Sequence, residues 1–399
     1  MNAQPAPASA RLSRPADDGS GHGRRVPISA PDVRLLVRLL QQDAAAVDRY
    51  LAGDPGGMDR LARACGASGL SVVLLRALEG SPWQARLPPD LLDALWQRRR
   101  RHTARQELVR QALQSVAGRF RSANQPFVLL KGPYLAARFY GDVLGREFAD
   151  LDVLVPHRDR ARAGALLEES GYRRRSATVL GATITSFFVH AFDYAAGAAC
   201  VDLHWGVTRH ASVRLDERKL WTRLRRFDVD GAPYDVLDEE HEVIFAALSL
   251  LRDIERARPK MKNVVDLIQI LASVDAELDW SGLFTAVDGT ARPLVNVLAL
   301  CLDVADAHDL TPRLAQALAA ERARRVPCRD TGSAMLFRPA PLGIGNKLWA
   351  ARAYDTSLPA WLLWWAASLP FRMAVHRGHA AGRPPAHGDS YGWRSRSSA

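Results

Sequence analysis

Apolar residues recur at helical spacing from Pro31 to about Ser122, as in DVRLLVRLLQQDAAAVDRYL and DLLDALWQRRRRHTARQELVRQALQSVAGRF, with breaks at GDPGG and LPPD. That period predicts a helical region over 30–124. The period then shortens: PFVLL (Pro126–Leu130), FADLDVLV (Phe148–Val155), ITSFFVHAF and ACVDLHWGV have the length and apolar character of strands. Between the first two, KGPYLAARFYG places Pro133 near the first turn of a short helix, and about Asp159 to Ser170 reads as a second helix. Strand, helix, strand, helix and then antiparallel-looking strands predict an α+β module over 125–237. Helical spacing returns in EEHEVIFAALSLLRDIERAR, VVDLIQILASVD and RPLVNVLALCLDVADAHDL, which predicts a helical domain over 238–377. The ends, 1–29 and 378–399, are rich in small residues, Pro and scattered charge, and are expected to be disordered tails.

The most apolar stretch, LPAWLLWWAASLPF (Leu358–Phe371), is too short to span a bilayer. It has no charged residue between Asp355 and Arg372, so a packed helix or paired turns covering the helical domain are expected, with a membrane-surface helix as the alternative. No segment reaches the roughly 18 apolar residues of a spanning helix.

The chain has 399 residues, 48% hydrophobic and 24% charged, which excludes a disordered, collagen-like or disulfide-scaffold protein and allows two or three cores. Four widely spaced cysteines without a CxxC pair argue against a zinc ribbon and for a reducing compartment. With no signal-peptide pattern at the start, a cytoplasmic location is expected. The net charge of +11 favours anionic partners in general. Arg98 to His102 (RRRRH) could meet phosphate, but inside a helix it reads first as a solvated face. No interleaving of aromatic and basic strand positions of the RNA-binding type is visible, which argues against a nucleic-acid partner. GIGNK and GDSYG lack the spacing or the strand-to-helix setting of the phosphate loop and nucleophile elbow they superficially suggest.

The chemistry concentrates in LLKGPYLAARFYGDVLGREFADLDVLV, Leu129 to Val155. Asp150 and Asp152 occupy alternate positions of one strand, so both carboxylates project from one face while Leu151, Val153 and Val155 project from the other. Like charges this close raise one another's pKa, and a shared divalent cation relieves the repulsion. Magnesium suits such a site, because it takes a few carboxylates, keeps water and draws further ligands from substrate phosphates. Asp202 lies in another predicted strand, where an adjacent antiparallel pairing would set it beside the first two. His204, on the same face two residues on, could orient Asp202 or touch substrate. Lys131 and Gly132 open the helix after the first strand, a place where free amides attract phosphate, and Arg146 offers a planar fork for phosphate oxygens.

These residues resemble a known pattern. KG at Lys131, YGD at Tyr140–Asp142, GREFADLDVLV at Gly145–Val155 and VDLHW at Val201–Trp205 are similar to the uncharacterised bacterial nucleotidyltransferase family of the polymerase-beta-like superfamily. The similarity covers about 125–285, including DEEHEVIFAALSLL and VVDLIQIL. It implies an α+β fold with a mixed catalytic sheet flanked by helices, and Mg2+-dependent transfer of a nucleoside monophosphate from a nucleoside triphosphate, with ATP as the expected donor, to a hydroxyl acceptor that the sequence does not identify. By the same resemblance Asp150 and Asp152 are metal ligands, Asp202 is the third carboxylate, and Lys131 with Gly132 holds the triphosphate. Two departures stand out. Lys-Gly replaces the Gly-Ser of the wider superfamily, and the first downstream helix carries Ser249 and Leu250 where the family often has histidine. They leave a second reading open, a nucleotide-binding regulatory or interaction protein with an inactive site.

Overall fold

The computed structural model describes residues 29–175, 190–206, 215–255, 260–287 and 291–324. The expectations for the two tails, for most of ITSFFVHAF and for Leu358–Phe371 fall outside these residues. Among them, no helix is long and apolar enough to cross a membrane.

Four short helices come first: α1 (Ala30–Leu40), α2 (Ala44–Gly53), α3 (Gly57–Ser68) and α4 (Ser71–Leu78). α1 starts where Ser29 and Asp32 cap each other's backbone amides, the reciprocal arrangement that satisfies two otherwise orphaned donors. α5 (Pro89–Ser122) then runs for 34 residues, about 50 Å at 1.5 Å per residue. Its first turns bury Leu91 and Leu95 among the helices, and its last turns bury Val109, Leu113, Val116 and Phe120 against the sheet. It therefore bridges two cores, and the Arg98–His102 run lies between the two contacts, with Arg98 donating to the Gly66 carbonyl at 2.7 Å.

The sheet contains β1 (Val128–Leu129), β2 (Leu151–Leu154), β3 (Arg173–Arg174), β4 (Ala191–Ala196) and β5 (Ala199–His204), in the order β1-β2-β5-β4-β3. α6 (Pro133–Tyr140) joins β1 to β2, and α7 (Arg160–Glu169) joins β2 to β3. β2 and β5 are parallel, and the other three pairings are antiparallel. The expected antiparallel neighbour for Asp202 is thus corrected: the β4–β5 hairpin turns at Gly197, and the reversals from β3 to β4 and from β4 to β5 return β5 to the direction of β2. A separate hairpin of β6 (Arg225–Val229) and β7 (Ala232–Val236) follows the short α8 (Glu217–Thr222). Asp230 and Gly231, both at positive φ, make its turn, the Asp-Gly signal of a tight hairpin.

Alternation sorts the strands by face. Leu151, Val153, Val201 and Leu203 pack under α5 and α7, while Leu130, Leu154 and Phe245 form a small cluster on the opposite side. Phe245 belongs to α9 (Glu239–Glu255), the helix that covers the second face, and α10 (Met261–Val274), α11 (Trp280–Ala286), α12 (Ala291–Ala305) and α13 (Pro312–Arg324) follow. One continuous core joins the two helical regions, with Leu36, Leu61 and Leu74 in the same cluster as Leu250, Leu267 and Leu298. This is a mixed α+β fold, with the helices on either side of the sheet sequence gathered into a single body.

Candidate active site

On β2 and β5 the parallel register sets Asp152 directly beside Asp202, and on the other side of β5 the antiparallel register sets Asp193 beside Asp202. Cross-strand neighbours share a face, so three carboxylates form a row across β2, β5 and β4. Asp150 lies just before β2, outside the ladder that begins at Leu151, and the charge of Asp152 acts on it. His204 lies two residues beyond Asp202, and its Nε2 is 3.0 Å from Asp152 Oδ1. Ligand atoms of Asp152, Asp202 and His204 all lie within 4.8 Å of one another. His204 therefore contacts Asp152, where the sequence offered Asp202 as its partner.

The electrostatics follow from crowding. Burial raises the Asp202 carboxyl well above its ordinary range, and the charges of Asp193, Asp150 and Asp152 push it the same way. Burial likewise raises the carboxyl of Asp193, the cross-strand neighbour of Asp202. Asp150 is raised by burial and by Asp152, against the opposing pull of Lys262, Lys260 and Lys131. Asp152 goes the other way. Burial works to raise it, but the hydrogen bond to His204 and the charges of Lys131 and Arg252 hold it below the usual carboxylate range.

Lys131 lies close enough to the row for the charge of Asp152 to act on it. Its ammonium is 4.8 Å above the Phe245 ring and 3.3 Å from the Ser249 hydroxyl, so the helix that lacks the family's histidine presents a hydroxyl to this lysine instead. Burial lowers its pKa while Asp152 raises it. Gly132 has φ 62° and ψ −122°, and a Cβ there would lie 3.2 Å from the Asp150 carbonyl oxygen. Only glycine lets the start of α6 approach the acidic strand so closely.

Arg146 is not at the phosphate side. It is buried, and its Nε and Nη2 clasp the two oxygens of Asp266 at 2.7 and 2.5 Å, so the fork expected for phosphate is already occupied. The cations that act on Asp150 and Asp152 include Lys131, Arg252, Lys260 and Lys262. Arg252 Nη1 lies 3.0 Å from His190 Nε2, and the His190 ring is 5.6 Å from that of His204.

Sequence reading missed Asp193, His190, Arg252 and Lys262. Asp193 was within reach, since it and Asp202 each stand four residues from the Gly197–Ala198 turn and so must face each other in a tight hairpin. Arg252 had a weaker signal, falling at helical spacing from Phe245 and Ser249 on α9.

A divalent ion fits this donor set. The carboxylates supply the hard oxygens that magnesium prefers, and their mutual repulsion is what a cation relieves. The His204 nitrogen is already engaged with Asp152, so it orients that carboxylate.

Residues 54–305, well over half of the chain, match the model of the family described as uncharacterised nucleotidyltransferase, and the protein belongs to that family. It is a nucleotidyltransferase by this membership. Among solved structures, the solution structure of the antibiotic-resistance factor ANT(2'')-Ia is similar at 15% identity over 56% of this chain and 100% of that one, with a TM-score of 0.32. A comparison with curated proteins finds no match.

Proposed function

We propose that the protein is a magnesium-dependent enzyme that moves a nucleoside monophosphate from a nucleoside triphosphate, with ATP as donor, to a hydroxyl acceptor. The observation that carries this reading is the side-by-side pairing of Asp152 and Asp202 on parallel strands, with the charge of Lys131 acting on Asp152. In the reaction, the acceptor oxygen forms a bond to the α-phosphorus, the bond from that phosphorus to the bridging oxygen breaks, and pyrophosphate leaves. Asp150, Asp152 and Asp202 would hold magnesium, which supplies Lewis-acid polarisation of the phosphate and a lower hydroxyl pKa.

The remaining work belongs to side chains. His204 keeps the Asp152 carboxylate turned toward the row. Lys131 and Arg252 meet the negative charge that builds on the leaving pyrophosphate. Asp193, the cross-strand neighbour of Asp202, would take the acceptor's proton on a carboxylate oxygen.

The test uses the full chain with Mg2+, each labelled triphosphate and cell extract as acceptor, read as pyrophosphate release and labelled product, with Mn2+ binding measured in parallel by electron paramagnetic resonance. Asp152→Asn should abolish turnover and weaken Mn2+ binding at least tenfold, about 1.4 kcal/mol, with folding retained. Wild-type turnover and Mn2+ affinity in that variant would refute the assignment. Triphosphate binding without any product in the wild type would favour the regulatory reading.

A further inference from the structure

The segment that leads into the acidic strand, residues 145–149, lies outside the sheet ladder, yet it is fastened at several points by helices from elsewhere in the chain. Gln106 of α5 donates to the Arg146 carbonyl at 2.6 Å, and the Val72 amide at the start of α4 donates to Glu147 Oε1 at 3.0 Å. Lys262 of α10 donates to the Glu147 carbonyl at 3.1 Å. Asp266, one turn further along α10, receives both prongs of the Arg146 guanidinium and also the Tyr140 hydroxyl at 2.7 Å. The Arg146 and Asp266 side chains are 4% and 6% exposed.

A buried ion pair of this kind is a poor source of stability, since desolvating both charges offsets most of their attraction and apolar replacements are often as stable. What the pair does supply is direction. A planar fork gripped at two oxygens fixes the orientation of Arg146 as well as its distance, and Arg146 stands only four residues before Asp150. Tyr140, at the end of α6, ties the helix that follows Lys131 to the same carboxylate. The sheet ladder begins at Leu151, so the approach to Asp150 depends on these outside fastenings for its course.

We propose that Asp266, together with Lys262, is a positioning residue: from α10 it sets the course of residues 146–150 and thereby the placing of the Asp150 and Asp152 carboxylates for their metal. This rests on the reading that those two aspartates bind the ion. Neither Asp266 nor Lys262 needs to touch substrate for it.

The experiment compares the full-length wild type with Arg146→Met/Asp266→Leu, in which no charge is left stranded, and with Asp152→Asn as reference. Urea midpoint and circular dichroism report folding, and Mn2+ titration by electron paramagnetic resonance reports the site. The double variant should keep a near-wild-type midpoint and lose about tenfold in Mn2+ affinity, the scale of outer-sphere support for a metal site. An unchanged Mn2+ affinity in the folded double variant, with Asp152→Asn impaired, would overturn the positioning role alone. If Asp152→Asn also binds Mn2+ as the wild type does, the metal reading falls and takes this proposal with it. Should the double variant fail to fold, Lys262→Met is titrated instead. It removes one fastening, and a loss of about threefold supports the proposal while no loss overturns it.

Discussion

Glu242 should make this protein less stable as pH rises from about 4.5 to about 7. It sits on α9 and is 1% exposed, and among the described residues neither carboxyl oxygen has a partner in hydrogen-bond geometry. The nearby guanidinium of Arg138 is committed elsewhere, to Glu239 Oε1 at 2.6 Å and to the Tyr134 hydroxyl at 2.7 Å. Burial is the largest influence on Glu242 and raises its pKa from 4.5 to about 7, while Arg138, Tyr134 and Lys131 pull it down only in part. The folded protein therefore holds a proton that the unfolded chain releases near pH 4.5. Its stabilising effect is complete below that pH, is lost progressively up to about pH 7, and stays lost above it. At 1.36 kcal/mol per pH unit over about 2.5 units, the loss is about 3 kcal/mol. Glu242→Gln keeps the shape of the neutral acid and removes the titration. Urea unfolding should find the variant within about 1 kcal/mol of wild type at pH 5 and about 3 kcal/mol more stable at pH 8. An advantage of the same size at both pH values, or none at pH 8, would refute the assignment of a protonated Glu242.

Lys131→Ala should weaken triphosphate binding about tenfold by calorimetry with Mg2+ present, with a smaller fall in kcat, because a charge on the phosphates acts in the ground state as well as the transition state. Unchanged dissociation constants would remove Lys131 from the phosphate site. Gly132→Ala should lower stability by about 1–3 kcal/mol in urea unfolding, since alanine disfavours φ 62° with ψ −122° and its Cβ would press on the Asp150 carbonyl at 3.2 Å. A stability equal to wild type would mean that α6 can start in another conformation.

Much of the site was legible because its signals are local. Alternation alone puts Asp150 and Asp152 on one face of a strand, the apolar neighbours of Asp202 mark it as a strand residue, and Lys131-Gly132-Pro133 marks a helix start. These depend on bond geometry and on residues within a turn or two, and the structure keeps Asp152 and Asp202 in strands and the helix start at Pro133, while β2 begins at Leu151 and leaves Asp150 just before it. Other features depend on chain direction and on partners far away. The parallel pairing of Asp152 with Asp202 follows from the number of reversals between β2 and β5, which no periodicity counts. Arg146 was expected to offer its planar fork to phosphate four residues before Asp150, but Asp266, 120 residues later, occupies that fork. The same holds for the two helical regions. Each shows an apolar stripe that must be buried, and only the folded chain decides that the two stripes bury against each other. Sequence by itself determined which side chains share a face of one element, since backbone geometry sets that within a few residues. Tertiary structure decided which faces meet, because packing across more than a hundred residues is a property of the whole chain.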